Sequence, residues 1–317
     1  MPATKKILVI DDDEGARLLI ADILRAQGDY TITTAQNSAD GIEKAAREQP
    51  DMILLDLTMP QIDGYQACHI LRTKMATHNM LIVMLATTDG VASQAHGLEA
   101  GADGVIAKPI DYRVFVASID ALLCRHEARL DANPLTRLPG NARITRELER
   151  CLQACRPFAV AYADIDNFKA LNDHYGFVIG DQVLSATGRI IGQAVTPPDF
   201  VGHIGGDDFI VISVPERVEE ICRDIITRFD QAIPQYYDPA SREQGFIESE
   251  TRQGLVQRVP LMTISIAVVT NRARPFRHVA EIGALAAELK RYLKTLPGSH
   301  YLVDRRQADS QPMRAEA

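Results

Sequence analysis

Asp207 and Asp208 end the run Gly205-Gly206-Asp207-Asp208, which sits between the apolar stretches 200–204 and 209–212. Apolar runs on either side of a Gly-Gly turn read as a β-hairpin. Glycine lets the turn take positive φ and lets backbone approach a ligand closely. Adjacent carboxylates at a hairpin tip repel each other, and a divalent cation is the usual reason to place them there. Taken alone, the same residues also fit an ordinary solvated turn. A second set of charges lies nearer the N-terminus. Asp11 and Asp12 follow the apolar run 7–10, Asp56 follows 52–55, and Lys108-Pro109 follows 104–107. Carboxylates gathered from different strand ends suit Mg²⁺, a hard cation that takes oxygen ligands. A lysine beside them can neutralise an incoming phosphoryl group, and a carboxylate can itself accept phosphoryl as an acyl phosphate. A third set opens at Asp164-Ile165-Asp166, where the apolar run 158–163 ends, and continues through 167–173 to Gly180-Asp181.

The first half must position the Asp11, Asp12, Asp56 and Lys108 set. Continuous apolar runs at 7–10, 52–55 and 80–85 read as strands buried on both faces. With strands at 30–34 and 104–107 they alternate with helical patterns: one with Ala16, Leu19, Ile20, Ile23 and Leu24 at helical spacing, one capped by Ser38, one opened by Asp63-Gly64, one over 91–100, and one from about Asp111. Five βα units predict an α/β, doubly wound, five-stranded parallel sheet, which binds ligands at its C-terminal strand ends. Val114, Phe115, Ile119, Leu122, Leu123, His126 and Leu130 lie near one helical stripe that runs on towards Asp131. The stripe fits packing on its own sheet in its first half and a dimer seam in its second. The later chain reads as helices at 141–155, 182–195, 216–231 and 278–296, strands at 158–163, 262–269 and 301–303, and the Gly-Gly-Asp-Asp hairpin. A polar insertion at about 234–259 reads as a possible further hairpin. The domain reading is 1–122, a helical linker 123–133, a second domain 134–304 and a flexible tail 305–317.

At 317 residues, with 46% hydrophobic and 24% charged residues, the chain has the size of two ordinary soluble domains. Net charge −8 argues against a nucleic-acid partner. The five cysteines are scattered without a metal pattern, so reduced thiols and a cytoplasmic setting are expected. No stretch approaches membrane-spanning length, so no membrane insertion is expected.

Residues 5–122 resemble a response-regulator receiver domain. The resemblance rests on Ile7-Leu8-Val9-Ile10-Asp11-Asp12, on Asp56-Leu57-Thr58-Met59-Pro60 with Asp63-Gly64, and on Lys108-Pro109. It implies that Asp56 is the phosphoacceptor, served by a sensor histidine kinase. It also implies that Asp11, Asp12, Asp56 and the Thr58 carbonyl hold Mg²⁺, and that Lys108 contacts the phosphoryl group. The hydroxyl that such domains place at the end of the fourth strand falls at Ala86, with Thr87 its neighbour, and Val105 stands at the aromatic switch position.

Residues 134–304 resemble a GGDEF domain, the diguanylate cyclase fold, an α+β domain whose mainly antiparallel sheet is similar to nucleotide cyclases and polymerase palms. The carriers are Asp164 through Asp173, Gly180-Asp181, Gly205-Gly206-Asp207-Asp208-Phe209 and Thr263-Ile264-Ser265-Ile266. The resemblance implies synthesis of cyclic di-GMP from two GTP, and hence a homodimer, because one domain makes half a product site. It implies Mg²⁺ or Mn²⁺ on Asp164, the Ile165 carbonyl and Asp207, with Asp207 and Asp208 catalytic. Asn172 and Asp181 take guanine-reading positions, Lys169 and Lys294 triphosphate positions, and Gly205 and Gly206 the substrate-facing turn. Several positions depart from the family pattern: Asp208 for Glu, Asn133 for Asp, His203 for Arg, Phe177 for His, and Ser299 or His300 where a phosphate-binding Arg belongs. The motif Thr196-Pro197-Pro198-Asp199 lacks the Arg of the family's inhibitory site. Base-reading and metal-binding groups persist while several phosphate-binding groups are gone. The reading is therefore a phosphorylation-controlled response regulator that makes cyclic di-GMP weakly or not at all. The alternative is a catalytically inactive module that binds GTP or a partner.

Overall fold

The computed structural model describes residues 4–87, 91–154, 156–250, 256–272 and 274–306. It divides into two compact units, 1–130 and 131–317. Of the expected tail, residues 307–317 lie outside the described residues, as does Cys155.

In the first unit the strands are β1 (Lys5–Ile10), β2 (Tyr30–Ala35), β3 (Met52–Asp56), β4 (Leu81–Thr87) and β5 (Gly104–Lys108). They alternate with α1 (Glu14–Arg25), α2 (Ser38–Glu48), α3 (Gly64–Thr73), α4 (Val91–Glu99) and α5 (Tyr112–Asp131). The sheet order is β2-β1-β3-β4-β5, all parallel. Strand alternation sorts the core into two layers. Leu8, Ile10, Leu55 and Met84 face one side; Val9, Leu54, Val83 and Leu85 face the other, against Phe115 and Ile119 of α5.

One expectation is corrected here and another is met in part. The cap of α2 is Asn37, whose side chain accepts from the Asp40 N–H. Ser38 is the first helical residue, and its buried hydroxyl donates instead to the Ile62 carbonyl. The α5 stripe is largely consumed within the unit: Phe115, Ile119 and Leu123 are buried in the core layer, and His126 is 8% exposed. Burial lowers the His126 pKa, so its ring stays neutral. Val114 and Leu130 remain exposed, so the apolar seam in the second half of α5 shrinks to Leu130.

The second unit holds α6 (Asn141–Gln153), β6 (Ala159–Asp166), α7 (Phe168–Tyr175), α8 (Phe177–Ala194), β7 (Phe200–Gly205), β8 (Asp208–Ser213) and α9 (Val218–Ala232). After a 3₁₀ turn at Ile233–Tyr236 come α10 (Pro239–Gln244), β9 (Phe246–Glu250), β10 (Val256–Pro260), β11 (Thr263–Thr270), α11 (Val279–Leu293) and β12 (His300–Val303). The main sheet runs β12-β11-β6-β8-β7, antiparallel except for β11–β12. The polar insertion contains the separate β9–β10 hairpin.

Alternation again decides what each side chain sees. Ala161, Ala163 and Ile165 of β6 face a core shared with α8 and α9; Val160 and Tyr162 face the other way, towards α6 and α11. Asp164 and Asp166 continue this second face. Helix α11 packs there through Ile282, Ala286, Leu289 and Leu293, all buried. Burying each Leu or Ile stabilises by roughly 1.5–3 kcal/mol, which fixes which side of α11 looks down on the sheet.

Candidate functional site

In the first unit β1, β3 and β5 end side by side, so Asp11, Asp56 and Lys108 meet at the C-terminal edge. Carboxylate oxygens of Asp11, Asp12 and Asp56 lie within 4.8 Å of one another, the one such grouping of metal-binding side chains among the described residues. Asp11 and Asp56 are buried and Asp12 is exposed. Lys108 Nζ donates to Asp11 at 2.8 Å and to Asp56 Oδ1 at 2.5 Å. The other Asp56 oxygen accepts from the Thr58 N–H at 2.7 Å. Burial pulls the Lys108 pKa down, but its bonds to Asp11 and Asp56 outweigh that and leave it raised, so the ammonium is fixed. Two buried carboxylates, a third open to solvent and a single ammonium leave excess negative charge and free oxygen lone pairs. That donor set fits Mg²⁺, which would be held by Asp11, Asp12 and Asp56.

The register also separates Ala86 from Thr87. Asp56 pairs with Leu85, and Thr87 pairs with Lys108. Ala86 is buried in the layer of Leu55 and Met84, whereas Thr87 is exposed beside Lys108. The strand-end hydroxyl is therefore displaced by one residue, which in a strand means the opposite face.

In the second unit β7 and β8 form the expected hairpin, closed by Gly206 and Asp207. Gly205 and Gly206 carry φ of 146° and 59°. His203 explains one departure noted above. It is 3% exposed, stacks on Phe209, and its Nε2–H donates to the Gly206 carbonyl at 2.9 Å while Nδ1 accepts from the Thr136 hydroxyl at 3.0 Å. Burial lowers its pKa, in keeping with this neutral form. The residue braces the turn from behind.

Asp164 pairs in register with Asp208 on β8 and with Ser265 on β11. Lys290 of α11 reaches over this face. Its Nζ lies 2.7 Å from Asp164 Oδ2 and also donates to Asp208 Oδ1. Lys294 Nζ stands 2.9 Å from Asp164 Oδ1, close enough for charge pairing but off hydrogen-bond geometry. Burial pulls the Lys290 pKa down, and its hydrogen bonds to Asp164 and Asp208 more than restore it. Asp207 is pushed up, first by burial and then by the charge of Asp164. Asp166 is turned to β11, where it accepts from Thr263 at 2.9 Å and Ser265 at 2.8 Å. Asp164, the acid that the expected metal set shares with the Ile165 carbonyl and Asp207, thus already carries an ammonium partner on each oxygen, and that set does not fit a divalent cation as it stands.

The residues expected to read the base lie on α7 and α8. Gly180 is packed so tightly against Asn172 that a Cβ there would stand 1.8 Å from Asn172 Oδ1. That oxygen is buried without a hydrogen-bond partner. Asp181 is exposed in a cleft of about 470 Å³ with Leu135, Gln182, Arg189 and Tyr236. Lys169 is exposed on α7. Ser299 and His300 are absorbed by structure: Ser299 bonds Asp230 and the Ile264 N–H, and His300 bonds the Pro297 carbonyl. Asp199 recruits Arg217, at 2.9 Å, in place of an arginine from its own motif. Sequence reasoning placed Lys290 on the helix but gave it no role.

A parallel sheet with a carboxylate–lysine cluster at its edge, followed by an antiparallel sheet with acids at a Gly-Gly hairpin, defines a two-domain chain. Residues 7–120 match the family model of the response regulator receiver domain, and residues 130–256 match that of the diguanylate cyclase, GGDEF domain. The chain carries a response regulator receiver domain followed by a GGDEF domain. Among curated relatives it is similar to the DNA-binding dual master transcriptional regulator RpaA of Synechocystis sp., 33% identical over 143 residues, or 42% of this chain and 59% of that protein. It is also similar to the response regulator PleD of Caulobacter vibrioides, 36% identical over 117 residues, or 37% of this chain and 26% of that protein. The chain thus spans less than two thirds of the length of these relatives. Among solved structures it is similar to the Vibrio cholerae chemotaxis protein CheY4, with 25% identity and TM-score 0.36 over 38% of this chain and 99% of that one. The GGDEF domain of TpbB (YfiN) from Pseudomonas aeruginosa gives 22% identity and TM-score 0.41 over 54% of this chain and 92% of that one. No described helix is long and apolar enough to cross a membrane.

Proposed function

We propose that this protein is a phosphorylation-controlled response regulator whose GGDEF domain binds GTP and forms cyclic di-GMP poorly. The observation that carries the first part is the convergence of Asp11, Asp12, Asp56 and Lys108 at one sheet edge. An Asp56 oxygen attacks phosphorus as the bond from phosphorus to the nitrogen of a sensor histidine kinase's phosphohistidine breaks. Lys108 and the Thr58 N–H hold the carboxylate in place, and Mg²⁺, when bound, offsets the phosphoryl charge. Thr87, exposed beside Lys108, is the hydroxyl nearest in register to the acceptor edge.

For the output domain, Asn172 and Asp181 read guanine, Lys169 and the Gly205-Gly206 turn meet the phosphates, and Lys294 stands nearby at the strand end. Rate depends on cations placed to stabilise charge that develops in the transition state. Here Lys290 and Lys294 are spent on Asp164 and Asp208 instead. Cyclic di-GMP requires two nucleotides, each 3′-hydroxyl attacking the other's α-phosphate, so two copies of the chain must meet. The protein acts in the cytoplasm as a homodimer when phosphorylated.

The test is intact-protein mass after acetyl phosphate and Mg²⁺, with light scattering before and after beryllofluoride. A phosphoryl adduct that disappears in Asp56→Ala, with a shift from monomer to dimer, is expected. Equal labelling of Asp56→Ala would overturn the acceptor assignment. A monomer under both conditions would overturn the dimer.

A further inference from the structure

We infer that the Lys290 ammonium is the resident counter-ion of the Asp164–Asp208 pair and so takes up Asp164, the acid that a divalent cation would share with Asp207 and the Ile165 carbonyl. The inference concerns the output domain of the reading above but does not depend on its binding GTP.

Four observations converge on it. Asp164 and Asp208 are register partners on β6 and β8, so their carboxylates face the same side of the sheet. Helix α11 is anchored over that side by Ile282, Ala286, Leu289 and Leu293, which sets Lys290 above the pair. Lys290 Nζ then contacts one oxygen from each acid, at 2.7 Å from Asp164 and in a short hydrogen bond to Asp208. Finally, the Lys290 side chain is only 18% exposed and that of Asp164 6%, while Asp208 at 37% forms the open side of the contact. The Lys290–Asp164 contact is therefore sheltered, unlike a surface ion pair that salt and water would dissolve.

A divalent cation on Asp164 and Asp207 needs an Asp164 oxygen, and Lys290 already holds one of them. It would also have to sit within a few ångströms of an ammonium, where like charges repel strongly in a partly buried site. Lys294 adds a second positive charge on the remaining Asp164 oxygen. An ammonium can balance the charge of two carboxylates, but it has no empty coordination position for a phosphate oxygen. The substitution of a side-chain cation for a metal thus keeps the strand ends together while withholding the chemistry that a metal would bring.

The probe is Mn²⁺ alone, titrated into the full chain without nucleotide, with free Mn²⁺ read by electron paramagnetic resonance. The receiver cluster supplies one site in every variant. Wild type should bind that one Mn²⁺ per chain, and Asp164→Asn should leave the count unchanged. Lys290→Met, which keeps the apolar stem and removes the charge, should add a second Mn²⁺ per chain. Lys290→Met combined with Asp164→Asn should lose it again, and Lys290→Arg should behave as wild type. A second Mn²⁺ in wild type that disappears in Asp164→Asn would overturn the inference. So would a folded Lys290→Met that gains no site. Should Lys290→Met fail to fold, the comparison of wild type with Asp164→Asn still decides. GTP affinity measured in EDTA reports separately on the functional reading, so the two can fail independently.

Discussion

Replacing Gly180 with alanine should weaken GTP binding without unfolding the domain. A Cβ at position 180 would lie 1.8 Å from Asn172 Oδ1, far inside contact distance, so the Asn172 amide must swing away. The displaced atom is the end of a flexible side chain and has no internal hydrogen bond to lose. Moving it off its rotamer costs roughly 0.5–1.5 kcal/mol. Alanine in place of glycine within α8 returns roughly 0.5–1 kcal/mol. The two nearly cancel, and the melting temperature should move by no more than a few degrees. The guanine contact has no such compensation. Losing one neutral hydrogen bond costs about 0.5–1.5 kcal/mol, a rise in Kd of roughly 2- to 12-fold. Calorimetric GTP titration of the full chain, with thermal melts alongside, makes the measurement. Unchanged GTP affinity in a stably folded Gly180→Ala would refute the base-reading role of Asn172.

Lys108→Ala leaves Asp11 and Asp56 buried without their ammonium, a loss on the order of 3 kcal/mol for a sheltered pair. Its melting temperature in EDTA should fall, and Mg²⁺ should recover more stability for the variant than for wild type; equal Mg²⁺ shifts would contradict the shared site. Tyr237 is pushed up to about 12, chiefly by burial, with the hydrogen bond from the Met262 N–H opposing. Its folded value lies above the unfolded one near 10, so its stabilising contribution is full below pH 10 and is lost as pH rises towards 12. Denaturant melts at pH 10 and 11 should show wild type losing about 1 kcal/mol more than Tyr237→Phe, and parallel losses would count against it.

The receiver site was legible because its chemistry sits at strand ends. Once the runs before Asp11, Asp56 and Lys108 are read as parallel strands, their C-terminal residues must share an edge. The hairpin was legible for a similar local reason, since Gly206 takes the left-handed conformation that the turn requires. Lys290 was not. Lysines along a helix look alike in sequence, and choosing between Lys290 and Arg291 needs the direction in which α11 buries Leu289 and Leu293. It also needs the register that sets Asp208 opposite Asp164. The cap of α2 failed on a smaller scale: Asn37 and Ser38 both suit a cap, and only the tertiary partner of Ser38, the Ile62 carbonyl, separates them. The α5 stripe read as a seam because periodicity reports an apolar face without naming what covers it. The receiver's own sheet covers Phe115 and Ile119, as expected of the first half, and it also covers Leu123 of the second.

The central claim is a phosphorylation-controlled output that holds GTP but turns it over slowly. Its most direct test is chromatography of nucleotides after incubating the beryllofluoride-treated full chain with GTP and Mg²⁺, with GTP binding measured on the same sample. The expected result is saturable GTP binding, lost in Asp181→Ala, with cyclic di-GMP accumulating slowly and faster in Lys290→Met than in wild type. Rapid cyclic di-GMP formation by wild type, undiminished relative to Lys290→Met, would contradict the account.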